Sequence, residues 1–272
     1  MKVQRLIISV VLFICVCIGA ISYPFLPSIE AALMASSAPR HIMKASFTVP
    51  AQLATPPPKQ GTPVSTPTNR TVSLTPVPTR STPRTLALDT FQRPNQFLWG
   101  TASDGLLWGA DANKKAAFEI IDDSGSIVDG QGAYNAILGP PFTNAEILFT
   151  GKLSSFQQNN LGAVLRWQDD FDWYKAYIDG TQLLLVKDVA GILTLLNAVS
   201  FTAVANTSYA LRFGIDGSQL FARVWPAGQT EPLTWMIQAT DTSLASGSGG
   251  LRLIIENGAL AAISMFMETS LT

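Results

Sequence analysis

Histidine and cysteine are nearly absent. Among 272 residues there is one His, His41, and there are two Cys, Cys15 and Cys17. None of them falls in residues 89–272. That part of the chain therefore has no Ser-His-Asp or Cys-His catalysis, no zinc site built on His or Cys, and no disulfide. Charge is also scarce, at 14% of residues, and it is unevenly placed. Residues 1–88 hold 8 Lys+Arg, one acid and 12 of the 17 Pro. Residues 89–272 hold 10 Lys+Arg, 18 acids, all 6 Trp and 18 of the 20 Gly. The second part is acidic and has no basic run, which excludes a nucleic-acid module.

Three segments follow from this asymmetry: an apolar N-terminus over 1–28, a Pro/Thr-rich linker over 29–88, and a folded domain over 89–272. Lys2 and Arg5 precede an apolar run from Leu6 to Tyr23, and Pro24 and Pro27 end it. Eighteen helical residues span about 27 Å, close to the hydrocarbon core of a bilayer. Basic residues before the run place the N-terminus in the cytoplasm and the remainder outside. Two outcomes share this export signal. The run is longer than a usual signal-peptide core, which favours a single-pass membrane anchor. Cleavage near Ser37 or Ala38, where small residues are well placed, would instead release a secreted protein.

Residues 50–84 contain 9 Pro and 8 Thr, with repeated Thr-Pro steps such as Thr62-Pro63 and Thr75-Pro76. Proline fixes φ and removes a donor, so neither helix nor sheet can propagate. The expected form is an extended, disordered stalk of polyproline character.

Beyond residue 89, short apolar or alternating runs are separated by Gly, Asn and Asp turns. Segments such as Ala145–Leu153, Gly162–Gln168, Trp173–Ile178, Gln182–Val189, Ser208–Ile215 and Gly250–Glu256 read as strands. Asp179-Gly180, Asp216-Gly217 and Asn257-Gly258 read as tight turns between them. About a dozen strands over this length fit an all-β, antiparallel two-sheet jelly-roll sandwich.

Alternation then assigns faces. Ala163, Leu165 and Trp167 oppose Val164, Arg166 and Gln168; Tyr174, Ala176 and Ile178 oppose Trp173, Lys175 and Tyr177. Arg212, Arg223 and Arg252 each interrupt an apolar set, and Glu256 follows Arg252. Four strands thus carry one arginine opposite their core residues. Arginine's planar fork suits hydroxyl, carboxylate and sulfate partners, although an outward sheet face also simply needs polar residues. The other Trp residues read as core, and Trp173 and Tyr177 as the exposed aromatic platform beside Lys175.

The opening Asp89-Thr90-Phe91-Gln92-Arg93-Pro94, then Trp99-Gly100-Thr101-Ala102-Ser103-Asp104-Gly105 and Trp108, resembles the start of bacterial concanavalin A-like lectin/glucanase domains of the laminin-G-like kind. The hairpin from Leu165-Arg166-Trp167 to Trp173-Tyr174 looks like their central hairpin. The resemblance covers residues 89–272. It implies a jelly roll with a concave sheet, and a sugar-binding module, an adhesion module or a glycoside hydrolase.

A retaining hydrolase of this kind needs two carboxyls about 5–5.5 Å apart. Glu119-Ile120-Ile121-Asp122-Asp123 is the nearest candidate, but Glu119 and Asp122 would face opposite sides of a strand. Asp122 and Asp123 read as turn residues. The expected function is therefore non-catalytic recognition of carbohydrate or a cell-surface polymer, through Arg166, Gln168, Trp173, Lys175, Tyr177, Arg212, Arg223, Arg252 and Glu256. A protein-adhesion role and a divergent glycoside hydrolase are the alternatives. Asp169, Asp170 and Asp172 put three carboxylates in one turn. They are candidate calcium ligands, or else turn residues bonding their own backbone. The resemblance adds Asp89, near paired terminal strands, as a further candidate calcium ligand.

Overall fold

Along β7 (Ala145–Leu153) every odd-numbered residue is buried and every even-numbered one is at least partly exposed. A strand of this pattern lies between a core and solvent. The computed structural model describes residues 82–271, and this pattern recurs across them. The expectations for the membrane segment, its cleavage and the linker up to residue 81 lie outside the described residues.

Sixteen strands are present among the described residues. The first eight are β1 (Thr85–Asp89), β2 (Gln96–Phe97), β3 (Gly109–Ala110), β4 (Phe118–Ile121), β5 (Ser124–Ile127), β6 (Gly132–Phe142), β7 and β8 (Leu161–Asp169). The rest are β9 (Asp172–Ile178), β10 (Gln182–Val189), β11 (Ile192–Ser200), β12 (Tyr209–Asp216), β13 (Gln219–Pro226), β14 (Ile237–Thr240), β15 (Gly247–Ile255) and β16 (Ala261–Ser270). They form two antiparallel sheets. A nine-stranded sheet runs β14-β13-β12-β7-β16-β5-β4-β2, with β1 also on β16. A seven-stranded sheet runs β11-β10-β9-β8-β15-β6-β3. The sandwich begins at Thr85, inside the stretch expected to be linker, because Thr85 to Asp89 pair with β16. Asp122 and Asp123 form the turn expected of them. Asp122 and Asp123 adopt φ of 48° and 56°, and Ser124 already belongs to β5.

The inner faces meet in one core. The nine-stranded sheet contributes Phe149, Phe213 and Phe266, and the seven-stranded sheet Leu165, Tyr174 and Leu253. Each such side chain stabilises the fold by roughly 1.5–3 kcal/mol on full burial. At one end Phe91, Trp99, Trp108, Phe118 and Phe266 pack mostly edge to face, with centroids 4.9–5.8 Å apart. Asp89 is buried beneath this cluster.

The Asp89 carboxylate is fully engaged. Oδ1 accepts from Phe91 N at 2.8 Å, Arg93 Nη1 at 2.8 Å and Ser103 Oγ at 3.0 Å. Oδ2 accepts from Trp108 Nε1 at 2.6 Å and Arg93 Nη2 at 3.0 Å. Burial raises its pKa, but the Arg93 and Trp108 hydrogen bonds outweigh that and hold the carboxyl below its ordinary range. The calcium role expected for Asp89 gives way to this, since its oxygens already bind donors. Asp89→Asn keeps the shape and loses the charge, so it should cost about 2 kcal/mol and lower Tm by roughly 5 °C. A thermal melt within a degree of wild type would show that the ion pair contributes nothing.

Candidate functional site

The outer face of the seven-stranded sheet is not a plain solvated surface. Ile137, Val164, Trp173 and Val186 form a second, smaller apolar cluster on it, and Trp167 and Tyr177 pack against that cluster. Trp173 and Val186 of this cluster line a hollow of about 160 Å³. Lys175 and Tyr177 of β9, Asp188 of β10, Arg252 of β15, and Asn160 just before β8 supply its polar lining. Val186, Leu193 and Ile254 are its apolar walls.

Alternation on β9 and β10 brings these groups together. Lys175 pairs with Val186 and Trp173 with Asp188 in register, so all four share one face. On the other side, Lys175 lies opposite Val164 of β8. Gly162 of β8 is the necessary neighbour. A Cβ there would meet Lys175 Cε at 2.8 Å and Tyr177 Cβ at 2.5 Å. Without one, the lysine crosses β8 and its Nζ donates to Asn160 Oδ1 at 2.6 Å. The same ammonium lies 4.6 Å from the Tyr177 ring centroid. The Arg252 guanidinium lies 4.7 Å from the Trp173 centroid and donates through Nη1 to Asn135 Oδ1 at 2.7 Å.

Electrostatics here are unusual. Burial pushes the Lys175 ammonium well below the ordinary lysine range, and the charge of Arg252 adds to the effect. Burial also lowers Arg252, opposed by Asp170, Asp188 and Asp111. Asp188 is 9% exposed and its Oδ1 has no hydrogen-bond partner. Burial raises its pKa against the pull of Arg252, with Asp172 and Asp169 adding to the rise.

Four of the residues expected on the ligand face, Trp173, Lys175, Tyr177 and Arg252, line this hollow. The others lie elsewhere. Trp173 itself is 3% exposed with Arg252 over its ring, so it is a floor and not the open platform expected.

Arg166 points the other way. Its φ is 50° and the β8–β9 register slips between Leu165 and Asp169. One left-handed residue inverts the alternation, sending Arg166 inward and Trp167 outward. The buried guanidinium donates to Thr143 O, Leu244 O and Gly217 O at 2.6–3.0 Å.

Arg212 and Arg223 belong to the nine-stranded sheet, not to the face of Arg252. Arg212 pairs with Glu146 and Glu231, and Arg223 pairs with Glu231 and stacks 4.1 Å from the Trp235 centroid. Gln168 is exposed and donates to Ser246 O. Glu256 follows β15, and its backbone N–H donates to Asn159 Oδ1. Neither lines the hollow.

The Asp-rich turn does not gather into a metal cage. Asp169 Oδ1 accepts from Phe171 N, Asp170 Oδ1 from Asn135 Nδ2, and Asp172 Oδ1 from Ala190 N. Three carboxylates on one turn thus take three separate partners. Among the described residues, no three Asp, Glu, His or Cys side chains form a metal-holding group.

Asp188 and Asn160 are the site residues that sequence reasoning missed. Asp188 was within reach, since it alternates with Val186 on an expected strand. Asn160 gives no such signal, because it precedes β8 and enters through a backbone path.

No family model matches the chain, and no curated protein is similar to it in sequence. Solved structures share its sandwich. A xylan β-1,4-xylosidase from Bacillus halodurans C-125 superposes with a TM-score of 0.50 at 13% identity, over 67% of this chain and 39% of that one. The carbohydrate binding module CBM66 from Bacillus subtilis gives 0.45 at 13% identity, over 53% of this chain and 85% of that one. A β-glucanase from Bacillus licheniformis gives 0.46 at 13% identity, over 69% and 98%. At this level the likeness concerns the fold, an antiparallel two-sheet β-sandwich.

Proposed function

We propose that the sandwich is a non-catalytic carbohydrate-binding module of the concanavalin A-like lectin kind, binding on the outer face of its seven-stranded sheet. The observation that carries this is the buried, unpartnered Asp188 oxygen beside Lys175, Arg252 and Asn160 on an apolar floor. Sugar sites combine apolar contact for the ring with a few placed donors and acceptors for its hydroxyls. Burying an acceptor without a partner is costly, and a ligand hydroxyl donating to the Asp188 carboxylate would offset that cost. The hollow, about 160 Å³, is on the scale of one sugar ring.

Binding without hydrolysis is the favoured form of this reading. The hollow is lined by a single carboxylate, Asp188, whereas glycoside hydrolysis uses two. Residues 1–28 would hold the module outside a membrane on the Pro/Thr stalk, or release it if cleaved.

The test is a glycan and polysaccharide array with the full-length chain, read with calcium and with EDTA. Selective retention is expected in both conditions, falling at least tenfold in Asp188→Ala. A blank array from folded protein would redirect the reading to protein adhesion. Released sugar would replace it with a hydrolase.

A further inference from the structure

Among the described residues, buried or half-buried cations have partners almost everywhere. Arg93 pairs with Asp89, Lys187 with Asp241, and Arg212 and Arg223 with Glu231. Arg166 is saturated by backbone carbonyls. Lys175 and Arg252 are the exception. Neither has a carboxylate within ion-pair distance, and the hydrogen-bond acceptor of each is a neutral side-chain amide, Asn160 or Asn135. Both line the same hollow. A lysine that is 3% exposed and lacks a counter-ion is expensive to keep, unless an anion arrives there.

We infer that the hollow selects an acidic sugar residue, a uronate, whose carboxylate lies against Lys175 and Arg252 while its hydroxyls donate to Asp188. This rests on the carbohydrate reading above and narrows it to a chemical class. The polar lining of the hollow is of two kinds. Arg252 and Lys175 come from β15 and β9 and offer donors. Asp188, on β10 beside Trp173, offers an acceptor. A simple anion would satisfy the donors and be repelled by Asp188. A neutral hexose would satisfy Asp188 and leave the Arg252 cation without a counter-ion. A sugar acid satisfies both, and a planar carboxylate matches the guanidinium fork. The lining Val186, Leu193 and Ile254 is left for the ring's apolar face.

Binding then carries a proton signature. The groups facing the Lys175 amine are Arg252 from β15, Asp188 from β10 and Tyr177 on its own strand. β8 presents Gly162 beneath it. Burial and Arg252 disfavour the ammonium in the empty hollow, and an arriving carboxylate favours it. Uronate binding should therefore take up a proton and weaken as pH rises.

The experiment is isothermal titration of the full-length chain with D-glucuronate, D-galacturonate, D-glucose, D-galactose and the uncharged D-glucuronamide. Each titration is run in two buffers of different ionisation heat. A uronate should bind about tenfold more tightly than its hexose and than the amide, with net proton uptake. Lys175→Met should erase that tenfold preference and the proton uptake. Arg252→Gln, which keeps a donor for Asn135, provides a second variant if the first folds poorly. Hexoses binding as well as uronates would overturn this inference and leave the carbohydrate reading intact. Folded protein that binds neither class would overturn both.

Discussion

Glu268→Met should raise Tm by roughly 10 °C at pH 8 and by only a few degrees at pH 4.5. Glu268 lies on β16, fully buried, and neither of its carboxylate oxygens has a hydrogen-bond partner. It reaches from the nine-stranded sheet to the seven-stranded one. Gly139 of β6 and Gly249 of β15 make room for it, and a Cβ on Gly249 would strike its oxygens. Gly139 also holds φ at 93°, so two constraints ask for glycine there. Burial pushes the Glu268 carboxyl up to about 8.

The direction of the pH effect follows from linkage. In the unfolded chain this carboxyl ionises near its ordinary pKa of 4.5. Between that value and about 8 the folded state holds a proton that the unfolded state has lost. Stability therefore falls as pH rises across that window, by on the order of 4 kcal/mol at pH 8. Asp89, Glu231 and Asp241 behave oppositely. Burial raises each, but hydrogen bonds from Arg93, Arg212 and Lys187 respectively bring it below its ordinary range. Their contribution is present above the unfolded carboxyl pKa and is lost in acid. The gain in Tm of Glu268→Met over wild type should thus grow steadily from pH 5 to pH 8. A difference between the two proteins that stays constant from pH 5 to pH 8 would show that Glu268 has no such pKa.

Arg166→Met should cost about 4 kcal/mol and lower Tm by roughly 12 °C, in the absence of any sugar. The guanidinium ties together three connections: Thr143 between β6 and β7, Gly217 between β12 and β13, and Leu244 between β14 and β15. Methionine fills similar volume but leaves three inward carbonyls without donors, each costing about 1–3 kcal/mol if water cannot reach it. Arg166→Lys should recover part of the loss, because one ammonium cannot span all three carbonyls. Sugar affinity measured well below the melt should stay within threefold of wild type. A variant that melts normally and binds tenfold more weakly would return Arg166 to the ligand face.

These two residues mark where local reading ends. Arg166 lies in the alternating run Ala163-Val164-Leu165-Arg166-Trp167, and a strict period of two places it with Val164. The left-handed φ at that position comes from a register slip between β8 and both of its neighbours, β9 and β15. Nothing in five residues of one strand encodes a slip against two others. Glu268 reads as an ordinary charged residue on a strand ending in polar side chains. Only the approach of the glycines on β6 and β15 encloses it.

What the sequence determined by itself was the strand periodicity. It follows from nearest-neighbour chemistry, namely side chains alternating across a pleated backbone and Gly, Asn and Asp at the turns. That was enough for an all-β antiparallel sandwich, and for Trp173, Lys175 and Tyr177 on one face. Tertiary structure decided which strands became neighbours. It put Arg212 and Arg223 in one sheet and Arg252 in the other, and it set Asp188, Asn160 and Arg252 around Lys175. It also decided which polar groups found partners, since pairing depends on contacts between residues as distant as Asn160 and Ile254. The site consists of groups left over from that pairing, so it could be read only after the strands had assembled.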